Sequence, residues 1–257
     1  MTQLSVNLNK IALIRNSRDG DYPSVIEHAK TCLAAGANGI TVHPRPNQRH
    51  IRPHDVYELA TLIATHNTSD QDIEYNIEGN PFAGAQGAYP GLLALAQQTR
   101  PDQCTLVPDN NDQLTSDHGF DLTRSGKTLQ PIIEQLHAWD IRVSLFMDPE
   151  PAQIDLAHAI GADRIELYTG PYAAAEKNRD ADSKTADALF ERYVEAAQHA
   201  HDLGLGVNAG HDLNLDNLAK LNTLPGLLEV SIGHALIVDA LAMGLEQAVI
   251  RYKNLLA

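Results

Sequence analysis

Eight short runs rich in β-branched and apolar residues recur along the chain, each followed by a longer stretch of helical character. This alternation limits the fold more than any other feature. The runs are Leu4–Leu8, Gly39–His43, Ile73–Glu78, Gln103–Val107, Arg142–Met147, Arg164–Thr169, Gly206–Gly210 and Glu229–Ile232. Several are almost continuously apolar, as expected of parallel strands covered on both faces. Between them, Tyr22–Ala35 has Pro23 near its first turn and Gly36 after its end, and Thr185–Leu203 stops at Gly204. These are ordinary helix start and stop signals. Pro53, Pro131 and Pro151 also stand where first helical turns are expected. No Gly/Ser-rich linker divides the chain, and no GxGxxG follows a strand, which disfavours an open dinucleotide-binding sheet. The expectation is an α/β fold: one (β/α)8 TIM barrel over 1–257, a single domain with extra helices. The length of 257 residues suits one such barrel.

Charge narrows the partners. The net charge of −14 argues against general nucleic-acid binding, which depends on neutralising phosphates. Residues 1–52 nevertheless carry seven Lys or Arg against three Asp or Glu, so one end is basic. An acidic protein with a basic end is equipped to hold a small anion locally. Cys32 and Cys104 form no CxxC pattern, which fits a reducing compartment. The N-terminal MTQLSVNLNK lacks the features of a secretory signal, and the apolar run 235–245 is too short to span a bilayer. A soluble cytoplasmic protein is expected.

In a barrel, residues at the carboxyl ends of strands share one mouth. Those ends carry Asn7, Asn9 and Lys10, then His43 and Arg45, then Glu78, Glu166 and Thr169, Asn208 and His211, and finally Gly233 and His234. Three histidines converging with two carboxylates suit proton transfer near neutral pH. Two signals point to phosphate. Arg15-Asn16-Ser17-Arg18 follows the first strand, and Arg45, Arg49, His50 and Arg52 follow the second; guanidinium forks match phosphate oxygens. Gly233-His234-Ala235 opens a helix after the eighth strand, a favourable place for an anion. Two loops, from Pro108 to about Gly126 and from Gly170 to about Ser183, are long enough to act as lids. No GxSxG or HExxH is present, and Lys10 is the only strand-end lysine, open to a phosphate contact.

These residues together resemble the pyridoxine 5'-phosphate synthase family of deoxyxylulose-dependent vitamin B6 biosynthesis. The carriers are Val6-Asn7, Ile11-Ala12, Arg15–Arg18, the segment Gly39–Arg45 (GITVHPR) and Asn76-Ile77-Glu78. Leu106-Val107-Pro108, Val143–Phe146, Ile165–Gly170, Val207–His211 and Ile232–Ala235 complete the set. The resemblance implies condensation of 3-amino-2-oxopropyl phosphate with 1-deoxy-D-xylulose 5-phosphate, without organic cofactor or metal, in an octamer of barrels. It implies that Glu78 and His43 are general bases, His211 a proton donor and Glu166 a stabiliser of charged intermediates. It further implies substrate contacts at Asn7, Arg18, Arg45, His50 and Thr115, with Gly233 and His234 on a phosphate. The chain departs from the family at Asn9-Lys10, where many members have Asp-His, and at Asp212, where many have Gly. An amide and a fixed cation there leave Asn9 and Lys10 as altered contacts, with Lys10 able to hold phosphate. Asp212 adds a side chain beside the phosphate pocket while keeping its backbone N–H. Two other readings compete: a metal-dependent aldolase or isomerase with His43, Glu78, His211 and His234 as ligands, and a non-catalytic barrel that binds phosphometabolites.

Overall fold

The computed structural model describes residues 1–67, 72–110 and 112–257. Its strands are β1 (Gln3–Asn7), β2 (Gly39–Val42), β3 (Glu74–Gly79), β4 (Gln103–Leu106), β5 (Arg142–Met147), β6 (Arg164–Tyr168), β7 (Gly206–Gly210) and β8 (Leu227–Ile232). All pair in parallel and in sequence order, and β8 returns to β1, so the sheet closes into a barrel. The helices are α1 (Asn9–Arg15), α2 (Val25–Ala34), α3 (Pro53–His66), α4 (Leu92–Thr99), α5 (Leu122–His137) and α6 (Pro151–Ala159). Then come α7 (Gly170–Lys177), α8 (Ser183–Asp202), α9 (Leu218–Leu221), α10 (His234–Met243) and α11 (Leu245–Leu255). The (β/α)8 expectation holds. No helix among the described residues is long and apolar enough to cross a membrane.

The strands bury two chemically different faces. Leu4, Val6, Ile40, Val42, Ile77, Leu106, Val143, Leu145, Ile165 and Leu167 are fully buried apolar residues. The alternate positions are largely polar. Ser5 and Thr41 hydroxyls lie 2.6 Å apart, Thr105 donates to Asn76 at 3.1 Å, and Arg142 Nε donates to Gln103 at 3.1 Å. Barrel interiors are more often filled by bulky aliphatic residues. Here most buried polar groups satisfy one another, which avoids the cost of an unpaired group. Asn208 belongs to this network rather than to the mouth assigned to it by sequence. It lies within β7, accepts from Arg164 at 3.2 Å and reaches Glu229 at 3.5 Å. Burial, then the neighbouring Glu74 carboxyl, pushes Glu229 well above the usual carboxylate range, against the opposing pull of Arg164.

Several boundaries differ from expectation for local reasons. Helix α2 starts at Val25, because Ser24 caps it by accepting from the Glu27 N–H at 3.2 Å; Pro23 therefore precedes the cap. Pro53 and Pro151 do open α3 and α6, whereas Pro131 lies inside α5. Helix α5 already includes Gly126, so the segment after β4 ends by Asp121, the cap of α5; residue 111 of that segment lies outside the described residues. The stretch from Gly170 to Ser183 is not one irregular loop, since α7 occupies its first part.

Candidate active site

The carboxyl ends of the strands bring His43 and Glu78 together. His43 Nδ1 lies 3.7 Å from Glu78 Oε2, and Asn7 Nδ2 donates to the same oxygen at 3.4 Å. Asn9 holds the His43 backbone, its Oδ1 accepting the His43 N–H at 2.9 Å. An amide oxygen performs that task as well as a carboxylate, so the first half of the Asn9-Lys10 departure leaves this contact intact. Both His43 and Glu78 are buried.

Glu166 approaches from β6 beneath Gly210. A Cβ at Gly210 would collide with Glu166 Oε1, so this glycine makes room for the carboxyl. Burial raises Glu166 to about 7. Burial raises Glu78 as well, to well above its ordinary range; the charges of Glu166 and Asp109 add to the rise, and Arg45 opposes it. Adjacent buried carboxyls resist double ionisation, so the pair retains a proton. The histidines move the other way. Burial, followed by Arg45, His211 and Arg49, holds His43 well below the usual imidazole range, and burial lowers His50 to about 2. Both rings are therefore neutral near pH 7, and His43 has a lone pair to accept a proton. His50 Nδ1 accepts the Ile51 N–H at 2.9 Å, which leaves its Nε2–H as the donor.

His211 sits on the opposite side of the mouth, its ring edge-on to Phe146 at 5.1 Å and to Tyr168 at 5.7 Å. Burial lowers its pKa, partly countered by Asp212 and Asp109. Thr115 Oγ1 lies 3.4 Å from His211 Nδ1, so the segment after β4 does reach over the mouth. His211 and Asp212 have φ of 81° and 57°, in the left-handed region that favours glycine. Thr169 Oγ donates to the carbonyls of Gly210 and His211, and Asn217 donates to the Asp212 carbonyl at 3.1 Å. These bonds hold Asp212 in a conformation its side chain does not favour. The Asp212 side chain is exposed.

Positive charge gathers beside His43. Lys10, Arg45 and Arg49 are close enough that the two guanidinium groups, after burial, lower the Lys10 pKa. Such a cluster favours a bound anion, and Gly233 with the first turn of α10 offers further backbone N–H groups after β8, the neighbour of β1. A Cβ at Gly233 would come within 3.1 Å of Asn7 Cβ, which keeps that turn against β1. The remaining arginines go elsewhere. Arg15 is buried in a two-pronged pair with Asp55 and donates to the His50 carbonyl at 3.2 Å, so it braces the 45–52 segment instead of meeting phosphate. Arg18 is exposed and, with Arg52, lines a separate cleft of about 460 Å³. Among the described residues no group of His, Cys, Asp or Glu is arranged to hold a metal ion, which removes the geometric support for His43, Glu78, His211 and His234 as a ligand set.

Sequence reasoning missed Asp109, Phe146 and Tyr168. Asp109 is buried, ion-paired with Arg45, and 3.5 Å from His43 Nε2. The strand-end rule that located Glu78 applies equally after β4, where Asp109 follows Leu106-Val107-Pro108. Phe146 and Tyr168 are found by the same rule at β5 and β6.

The fold and the mouth define a class: a (β/α)8 barrel whose mouth sets buried carboxyls and neutral imidazoles beside a cationic pocket. Residues 4–257 match the family described as pyridoxal phosphate biosynthesis protein PdxJ, and the chain belongs to that family. It is 55% identical over 257 residues to a pyridoxine 5'-phosphate synthase of Xanthomonas campestris pv. campestris (strain B100), covering 100% of this chain and 96% of that protein. It is 52% identical over 256 residues to one of Xylella fastidiosa (strain M12), covering 99% and 95%. Solved structures at low identity share the fold. They include a thiamine phosphate pyrophosphorylase from Pyrococcus furiosus (TM-score 0.59, 12% identity, 99% and 95% covered). A second is a tryptophan synthase complex from the same organism (TM-score 0.60, 13% identity, 99% and 96% covered).

Proposed function

We propose that this chain condenses 3-amino-2-oxopropyl phosphate with 1-deoxy-D-xylulose 5-phosphate into pyridoxine 5'-phosphate, releasing inorganic phosphate and water. The observation that carries the reading in this structure is the buried His43–Glu78 pair set against the Lys10, Arg45 and Arg49 cations. Two phosphorylated substrates need two anion sites, and the mouth offers two: the cation cluster, and the Gly233–His234 turn that opens α10. Joining the amine of one substrate to the ketone of the other forms an imine between substrates, so no enzymic lysine is required. Later enolisation, dehydration and ring closure each move a proton, which calls for several acids and bases in one cavity.

In this scheme His43, neutral through burial, accepts a proton first. Glu78 is pushed towards its protonated form by burial beside Glu166, and a cationic amine or iminium beside it favours the carboxylate, readying it as the second base. His211, against Phe146 and Tyr168, donates to a leaving hydroxyl. Glu166 exchanges charge with Glu78 while cationic intermediates form. Asn7, Lys10, Arg45, His50, Thr115, Gly233 and His234 hold the substrates; Asn9 acts through the His43 backbone, Asp212 shapes the turn beside His211, and Arg18 is placed in its own cleft. The whole of 1–257 works as one barrel domain with no organic cofactor. Phosphorylated substrates do not cross membranes freely, and Cys32 and Cys104 are buried free thiols, which supports a cytoplasmic site of action.

The assay is phosphate release with both substrates, with each alone, and with EDTA throughout. Release with the pair only, matched by pyridoxine 5'-phosphate in the product mass, is the expected result. Silence with the pair would overturn the assignment. The chain is also proposed to assemble as an octamer. In support, Leu13 and Ile14 on α1 and Val238 and Leu241 on α10 are exposed apolar residues on helices that pack together. Sedimentation velocity is expected to show a species near eight times 28.0 kDa; a monomer at micromolar concentration would contradict it.

A further inference from the structure

We propose that Asp109 is the positioning residue of this site, fixing the tautomer of His43 and the plane of the Arg45 guanidinium with one carboxylate. The proposal rests on the reading of His43 as a base. The Asp109 side chain is buried, and both its oxygens are engaged. Oδ2 pairs with Arg45 Nη2 and lies 3.5 Å from His43 Nε2, while Oδ1 accepts from Ser116 Oγ at 2.8 Å. Its carbonyl accepts from Asn80 Nδ2 at 2.5 Å, and Arg45 Nη1 continues to the Asn110 carbonyl at 3.3 Å. One residue thus joins the segments that follow β2, β3 and β4.

A neutral imidazole carries one proton, and its neighbours choose the nitrogen. His43 has a carboxyl on each side, Glu78 at Nδ1 and Asp109 at Nε2. They are not equivalent. Glu78 is pressed towards its protonated form by burial beside Glu166, whereas Asp109 faces the fixed charge of Arg45. Negative charge therefore sits on the Nε2 side. The ring turns Nε2–H to Asp109 and keeps the Nδ1 lone pair for the proton it accepts next to Glu78. A base oriented by a third group is a recurring catalytic arrangement.

The test reads the tautomer directly, by long-range nitrogen–proton correlation NMR on the full chain carrying ¹⁵N-histidine, with His43→Asn to assign the signals. The wild type is expected to show Nε2–H. Asp109→Asn is expected to lose that preference and about 10²-fold in kcat, and Asp109→Glu to restore the Nε2–H signal. Ser116→Ala cuts the loop contact and leaves the charge; it should raise KM with kcat and tautomer little changed. An Nδ1–H signal in the wild type overturns the proposal without any variant. So does an Asp109→Asn protein that keeps Nε2–H, or that changes KM alone as mere loop docking would. The NMR measurement needs no substrate, so a tautomer that follows Asp109 with no turnover of the substrate pair would fault the reaction assignment and uphold the positioning role.

Discussion

Glu78→Gln is expected to lower turnover of the substrate pair by about 10²–10⁴-fold, the range for loss of a positioned acid or base, with much smaller change in substrate affinity. Gln has the shape of Glu and retains a carbonyl oxygen to accept from Asn7 Nδ2, which reaches Glu78 Oε2 at 3.4 Å. What it lacks is a carboxyl that can take up and release a proton at that position. The variant also removes one member of a crowded carboxyl pair, so folding should not suffer. Single-turnover phosphate release and equilibrium binding of each substrate check the expectation. A variant that binds both substrates and turns over at the wild-type rate would remove Glu78 from the chemistry. The same result would favour His43 alone as the base.

The barrel was legible because each strand announces itself locally. Runs such as Ile165–Leu167 or Val143–Leu145 need no partner to be recognised, and eight of them in alternation with helices leave few topologies. Strand ends were legible for the same reason, and with them His43, Glu78, Glu166 and His211. Pairings between distant segments were not. Arg15 looked like an anion ligand by sequence because its partner Asp55 stands 40 residues away, at the start of α3. Asp109 opens a segment rich in polar residues; its place after the fourth strand marked it as a candidate, but its burial against Arg45, 64 residues away, is a pairing that the sequence does not show. The polar barrel interior was hidden too. Asn208 sits at the middle of its strand, and only the register of β7 against β6 and β8 shows that it turns inward to Arg164 and Glu229. Helix α2 fell short of its expected start because a Ser24 cap bond outweighs a proline two residues from the helix. The Asn9-Lys10 departure became interpretable only in three dimensions: Asn9 holds backbone, and Lys10 joins two arginines.

Glu166→Gln is expected to make the protein more stable at pH 8 and less active. Glu166 is buried, and burial raises its carboxyl from an ordinary 4.5 to about 7. A raised folded-state value means that the native state binds the proton more tightly than the unfolded chain. The associated stability is fully present below about 4.5 and is lost as pH rises through about 7. At pH 8 the native state bears the whole cost of a buried carboxylate, about 3 kcal/mol on this linkage. Gln does not ionise and escapes that cost. Urea unfolding of both proteins at pH 5 and pH 8 should show the variant gaining on the wild type between the two, because only the wild type carries the Glu166 contribution. Dependence common to both proteins belongs to Glu78 and Glu229, which burial also raises, and to His43, His50 and His211, which burial lowers and which act in the opposite direction. Equal stabilities at pH 8 would mean that Glu166 is not held under strain by its surroundings. A gain in stability coupled to a loss of turnover is the signature of a carboxyl kept in the barrel for its chemistry, since folding alone would favour its removal. Gly210 points the same way, because its missing side chain is what allows Glu166 to stand there.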